Sequence, residues 1–370
     1  FLHSLLLHFG GIVVPAMRHR SQLPVSPRKL RSWLVLGTLG SLVIAGHRGF
    51  CASEGHPVAR AASQKDFASR DVPFALILPG FLGSSEDFEE LAEDMRRAGY
   101  PAAVAPIAWW HWVPCIGGRS MRPILERIDH AVNQVFTSNF STSVLPPTYT
   151  LFDLLSDFMS NPGGILKVGG TDDPADFPLV QPAGDFGEKS EAAGQRIALV
   201  AHSASGWIGR LYLSSLPYQG KRFEGAGRIH SMVCLGSPHF VANNLVFKNL
   251  QYLEDRNGKE LPPNVRCLCV GSKGNVASQA SDMTRGAYEF CGADPDDDVD
   301  GDGMTPLFSA IAFEAAEKMV VENVSHAPVY PAIGPSAELA KDRLTKPWYG
   351  SPSILKKWLP WLIEYPENKY

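Results

Sequence analysis

The stretch Arg196–Tyr212, RIALVAHSASGWIGRLY, leaves this chain the fewest choices of fold. Ile197-Ala198-Leu199-Val200 is too short an apolar run for a helix and is flanked by small residues, as a buried parallel strand is. His202-Ser203-Ala204 then makes a turn, and Ser205–Tyr212 continues at helix-compatible spacing. A serine on a sharp strand-to-helix turn is the context of a nucleophile elbow, which holds the hydroxyl out of the sheet. The helix start also leaves N–H groups unpaired beside that serine, ready for a developing negative charge. The usual G-x-S-x-G is altered here to Ala201-His202-Ser203-Ala204-Ser205, with Gly206 one place late. Alanine and serine are still small enough for the turn. The plainer alternative is a βα turn whose serine merely caps the helix.

The same strand–turn–helix rhythm recurs along the chain. Phe74–Leu78, Pro101–Pro106, Ser231–Leu235, Val265–Val270 and Met319–Val324 read as further short strands. Glu86–Arg97, capped by Ser84 or Ser85, and Pro123–Phe136 carry apolar residues at helical spacing. A closing helix is expected to be capped by Ser351, with Pro352 in its first turn and a kink at Pro360. Strict alternation implies an α/β fold, a mainly parallel sheet with right-handed crossovers and helices on both faces. Residues 72–364 are expected to form a single domain, for which an apolar fraction of 45% supplies ample core.

Two segments depart from that rhythm. Residues 1–62 contain an apolar start, a basic patch (Arg18, Arg20, Arg28, Lys29, Arg31) and the run WLVLGTLGSLVIAG at 33–46. That run is shorter than the ~18–20 residues of a membrane span, Ala59-Arg60-Ala61 fits a small-x-small cleavage site, and no acidic residue precedes Glu54. A processed organelle-targeting leader is expected, with the secretory pathway or a single membrane anchor as alternatives. Residues 137–192, rich in Ser, Pro, Gly and Asp, read as a peripheral excursion from the bottom of the sheet, partly disordered. Segments 107–120 and 239–262 leave the upper strand ends and are the better lid candidates.

A serine hydroxyl needs a base within hydrogen-bond reach, and that base needs an orienting acid. His326 follows an apolar strand near the end of the chain, where a loop histidine can reach over the sheet. Among the acids of Asp294–Asp302, Asp302 lies in Gly301-Asp302-Gly303, where two glycines permit a tight turn. The order Ser203, Asp302, His326 is the one an α/β-hydrolase uses. A glycine turn after Phe74–Leu78 can aim the Phe81 N–H at the same point as the Ala204 N–H, making an oxyanion hole; an ordinary turn is the alternative. Trp109, Trp110 and Trp112 read either as an apolar substrate wall or as a local hydrophobic plug. His202 is expected to pack beside the elbow, His239 to structure a strand-end turn and His111 to belong to the tryptophan loop.

Other chemistries are less well supported. Asp296, Asp298, Asp300 and Gly301 match the first half of a calcium loop, but its twelfth position is Leu307 where a bidentate Glu is required. The acidic run at 294–298 reads as a solvated loop, with a weak surface cation site as the lesser alternative. Six cysteines (51, 115, 234, 267, 269, 291) show no C-x-x-C pair, so spacing points to no zinc site; buried free thiols are expected, with Cys267 and Cys269 facing the same side of a strand. A Cys115–Cys291 bridge is not decided by sequence. A net charge of −4 carries no nucleic-acid footprint.

LILPGFLGS at 76–84, AHSASGW at 201–207, LGSPH at 235–239, GDGMTP at 301–306, VSHAP at 324–328 and WYGSPSILKKWLPWL at 348–362 occur in order over most of residues 72–364. With them the chain resembles the lipase-like α/β-hydrolases of plants and photosynthetic microbes, distantly akin to GPI-inositol deacylases and lecithin–cholesterol acyltransferases. The resemblance implies Ser203 as nucleophile, Asp302 as acid, His326 as base, Phe81 and Ala204 as oxyanion donors, and a plastid address. The expectation is a serine ester hydrolase acting on a lipid or other long-chain ester through an acyl-enzyme, with no metal or cofactor. Its partners would be that small-molecule ester or lipid and, with it, a peripheral membrane contact. Acyl transfer or thioesterase chemistry with the same residues, and a catalytically inactive fold used for binding, are the alternatives.

Overall fold

A computed structural model describes residues 74–136, 197–219, 221–223, 225–256, 259–330 and 336–363. The leader at 1–62 and the excursion at 137–192 lie outside the described residues. Strands β1 (Phe74–Leu78), β2 (Ala102–Val104), β3 (Ile197–His202), β4 (Ile229–Leu235), β5 (Arg266–Lys273) and β6 (Glu317–Glu322) form one six-stranded sheet in the order β2-β1-β3-β4-β5-β6. Every neighbouring pair is parallel. The strands β1, β3 and β4 are near-continuous apolar runs because both of their faces are covered.

Side-chain alternation divides the interior into two cores. Leu76, Leu78, Leu199, Ala201, Met232, Cys234 and Cys269 face one side, where they meet helices α2 (Arg122–Phe136), α3 (Ser205–Leu213) and α4 (Lys248–Asp255) through Ile124, Ile208 and Leu250. Ala75, Ile77, Ala198, Val200, Val233 and Leu268 face the other. That side is covered by α1 (Glu89–Arg97) and the closing helix, which carry Leu91, Met95, Leu355 and Trp358. The remaining described α-helices are α5 (Asp282–Phe290), α6 (Leu307–Ala310) and α7 (Ala337–Thr345), and the closing helix is α8 (Pro352–Ile363). Among the described residues no helix is long and apolar enough to cross a membrane.

Two local readings are corrected and a third is refined. Strand β6 ends at Glu322, two residues before the apolar pattern does, and most of it is exposed; it is the sheet edge, where charged residues face water and blur the pattern. Ser351 does not cap α8 through its side chain. Its Oγ accepts backward from the Trp348 N–H at 2.9 Å, while its carbonyl takes the N–H groups of Ile354 and Leu355. At the first helix, a 3₁₀ turn over Ser85–Phe88 precedes α1, with Ser84 at its N-cap as expected; the Ser84 N–H donates to Asp87 Oδ2 at 2.8 Å.

The chain leaves β1 toward β2 on one side, whereas β3 leads to β4 on the other. The loops after β1 and β3 therefore diverge from adjacent carboxyl ends and open a crevice between them. Open parallel sheets place their sites at that point.

Candidate active site

Ser203 sits at the carboxyl end of β3 with φ of 52°, in the left-handed region that a non-glycine residue rarely adopts. Such a conformation costs about 1–3 kcal/mol and needs enforcement. The Ser203 N–H donates to the Leu235 carbonyl of β4 at 3.0 Å, and its own carbonyl accepts from the Gly206 N–H at 3.0 Å. Small Ala204, Ser205 and Gly206 let α3 start at once, so the serine is half-buried at the crevice and its hydroxyl faces out of the sheet.

His326 arrives from the loop after β6. Its Nε2 lies 3.0 Å from Ser203 Oγ and its Nδ1 lies 2.8 Å from Asp302 Oδ2. Asp302 occupies a tight turn closed by its own N–H to the Thr305 carbonyl at 3.2 Å. Its Oδ1 accepts from the N–H groups of Met304 at 2.9 Å and Thr305 at 2.7 Å. Its Oδ2 also accepts from the Tyr349 hydroxyl at 2.9 Å. Burial pushes the Asp302 carboxyl up, but the charge and hydrogen bond of His326, with the two backbone donors, outweigh it and hold the group below its ordinary range. The carboxylate is ionised and aimed, and Asp302 is 1% exposed.

Ser203, Asp302 and His326 are thus brought together as the sequence places them. Two further residues make the arrangement possible. Gly236, at φ 58°, directly follows β4 and lies against the acid–base pair, and a β-carbon there would stand 2.6 Å from Asp302 Oδ2 and 3.2 Å from His326 Nδ1. Tyr349 is fully buried and reaches Asp302 from the loop before α8. Gly236 belongs to the LGSPH run and Tyr349 to WYGSP; composition gave neither a role, because only the closing of the sheet brings them to Asp302.

The loop after β1 passes against the elbow. A β-carbon on Gly80 would lie 2.9 Å from Ser203 Cβ and 2.5 Å from His202 Nδ1, so only glycine allows the approach. Ser205, fully buried, donates its hydroxyl to the Pro79 carbonyl and ties the two loops together. The altered motif position is therefore used as a hydrogen-bond donor. Among the described residues, neither the Phe81 nor the Ala204 N–H donates to a protein acceptor.

His202 packs as expected beside the elbow, its ring among those of Phe88, His326 and Trp348. Its Nε2–H donates to the His326 carbonyl at 2.8 Å, and burial, with the nearby His326, lowers its pKa to about 3. It is a neutral strut under the loop that carries His326.

The tryptophans divide. Trp112 is 0% exposed and donates its indole N–H to the Gly83 carbonyl at 3.2 Å, so it is a plug that props the β1 loop; its expected contact with substrate is corrected. Trp109 and Trp110 are half-buried, and Trp110 lies against the His111 ring with centroids 3.7 Å apart. The ring on the open side of Trp112 is Phe81, 43% exposed and edge-on to it at 5.6 Å.

Asp294–Asp298 are all exposed, as a solvated loop is, and the anchored acid is Asp300, just beyond that run. Asp300 Oδ1 accepts from the N–H groups of Gly274, Asn275 and Gly301, and Asp298 Oδ1 from Ser278. Cys115 and Cys291 are free thiols, so no bridge joins them. No protein-family model and no curated protein matches this chain.

Proposed function

We propose that the chain is a serine ester hydrolase of the α/β-hydrolase kind, acting on a lipid or other long-chain carboxylic ester. The observation that carries the reading is the hydrogen-bonded file Ser203–His326–Asp302, at 3.0 and 2.8 Å, set at the switch point of a parallel sheet. The strand order, with the nucleophile turn on a central strand and the acid and base on loops after the last two, supports the finer assignment of fold. Exposed, apolar Phe81, the residue after the Gly80 that passes against Ser203, supports an acyl chain as the group received.

In this mechanism Ser203 Oγ attacks the acyl carbonyl while His326 Nε2 takes its proton. Asp302 holds the Nδ1–H tautomer and offsets the imidazolium charge without itself being protonated. The N–H groups of Phe81 and Ala204 receive the oxyanion; one such donor contributes about 2.7–4 kcal/mol in comparable sites. His326 then protonates the leaving alcohol, and the alcohol departs from the acyl-enzyme. Water repeats the sequence, giving its proton to His326 and its oxygen to the acyl carbon, and Ser203 is regenerated.

A fluorophosphonate probe should label the purified full chain, and Ser203→Ala should abolish labelling. A p-nitrophenyl ester series from acetate to palmitate should then show activity rising with chain length. Undiminished labelling in Ser203→Ala removes the nucleophile assignment, and a flat, near-zero response across the esters favours a binding fold.

A further inference from the structure

On the far side of β4 and β5 from the triad acid, three thiols and an imidazole meet in the core. Cys234 of β4 and Cys269 of β5 are direct partners in the parallel register, so their side chains leave the sheet on the same face. Their sulfurs and a ring nitrogen of His239, which follows β4, all lie within 4.8 Å of one another. Cys267 adds a third thiol, its Sγ 3.9 Å from that of Cys234. All four residues are buried, His239 at 3% exposure, and the His239 Nε2 has no hydrogen-bond partner among the described residues.

We propose that Cys234, Cys269 and His239 form a buried site for one thiophilic divalent cation of the zinc class, with Cys267 the nearest fourth donor. Two thiolates and an imidazole are a borderline-soft donor set that suits Zn²⁺ and excludes the oxygen-seeking Ca²⁺ and Mg²⁺. With Zn–S bonds of about 2.3 Å, two sulfurs on one tetrahedral ion stand about 3.8 Å apart. The 3.9 Å between Cys234 and Cys267 already matches that edge. The wider spans close by about 1 Å, within reach of side-chain torsions on a fixed backbone. Thiolates left in an apolar core without a cation are costly, and a dication removes that cost, so metal would enter as the chain folds.

Arg210 sets the condition for ligation. Its Nη1 lies 3.4 Å from His239 Nδ1, and its Nη2 is already paired with Glu254. A metal on Nε2 requires the ring proton on Nδ1, so the guanidinium would give its hydrogen bonding over to Glu254. The ion would clamp β4, β5 and the turn after β4 behind the elbow helix: a β-carbon on Gly206 would lie 3.3 Å from Cys234 Sγ. No spacing rule shows the site, since its two strands are adjacent only in the folded sheet. That is why the absence of C-x-x-C pointed away from zinc.

The test is metal analysis of the full chain, produced with added zinc and desalted without chelator. About one zinc per chain is expected, falling to background in Cys269→Ser and in His239→Ala, and retained in Cys115→Ser. Should the ligand variants fail to fold, wild-type chain refolded with Co²⁺ decides through its near-ultraviolet thiolate-to-cobalt charge-transfer band. Wild-type chain that carries less than a tenth of an equivalent of zinc and gives no such band overturns the proposal. So does zinc retained in folded Cys269→Ser, or a disulfide among the three cysteines in metal-free wild type.

Discussion

Replacing Ser205 by alanine tests whether the departure from the usual elbow motif has a structural use. The change deletes one oxygen at a position of 0% exposure and leaves the Pro79 carbonyl without its donor. Leaving a buried partner unsatisfied costs about 1–3 kcal/mol. The void is one atom, so a cavity contribution of roughly 20 Å³ adds at most about 0.5 kcal/mol. Urea unfolding should therefore show Ser205→Ala less stable by about 1–3.5 kcal/mol. Pro79 stands two residues before Phe81, so the β1 loop should also loosen against Ser203. If about 1 kcal/mol of that loss reaches the reacting geometry, fluorophosphonate labelling slows roughly fivefold. Ser205→Gly, which restores the common motif residue, should be no more stable than Ser205→Ala. Ser205→Ala within 0.3 kcal/mol of wild type with unchanged labelling refutes the tie between the loops, and so does a stabilised Ser205→Gly.

Tyr349→Phe should lower the unfolding free energy by about 1.5–3 kcal/mol, the contribution of a hydrogen bond to a buried charge; an unchanged urea midpoint counts against it. Gly236→Ala forces a β-carbon against Asp302 Oδ2 at a left-handed backbone position, so labelling should slow about 100-fold or more while far-ultraviolet dichroism stays native. Labelling at the wild-type rate would show that the pair tolerates displacement. Acid should weaken the fold well before the carboxylates titrate. His202 and His111 are held down to about 3, mainly by burial, with His326 and Arg127 respectively adding to it. Because the unfolded imidazoles bind protons from about 6.5 downward and the folded ones do not, stability falls as pH drops through the window from 6.5 to 3. Each histidine should remove about 1.2 kcal/mol between pH 6 and pH 5, read from urea curves. Equal stability at pH 7 and pH 5 is the contrary result.

Much of the site was legible because its chemistry is local. A strand, a serine and small residues after it specify the elbow within a few positions, and Gly301-Asp302-Gly303 specifies the turn that aims the acid. Strand β1 was read to the residue because a strand covered on both faces has no polar interruptions. The edge strand β6 was misplaced for the converse reason, since water on one side imposes little pattern.

By itself the sequence determined the βα rhythm, the three side chains proposed as nucleophile, acid and base, and their order along the chain. These depend on backbone sterics and on which side chains have the needed chemistry. Only the tertiary structure decided what lies across from what: Tyr349 on Asp302, Ser205 on Pro79, Trp112 as a prop, and Cys234 beside Cys269 with His239 above them. Parallel pairing joins residues tens of positions apart, and the register that sets them opposite each other comes from packing two cores at once. No short window of the chain carries that information.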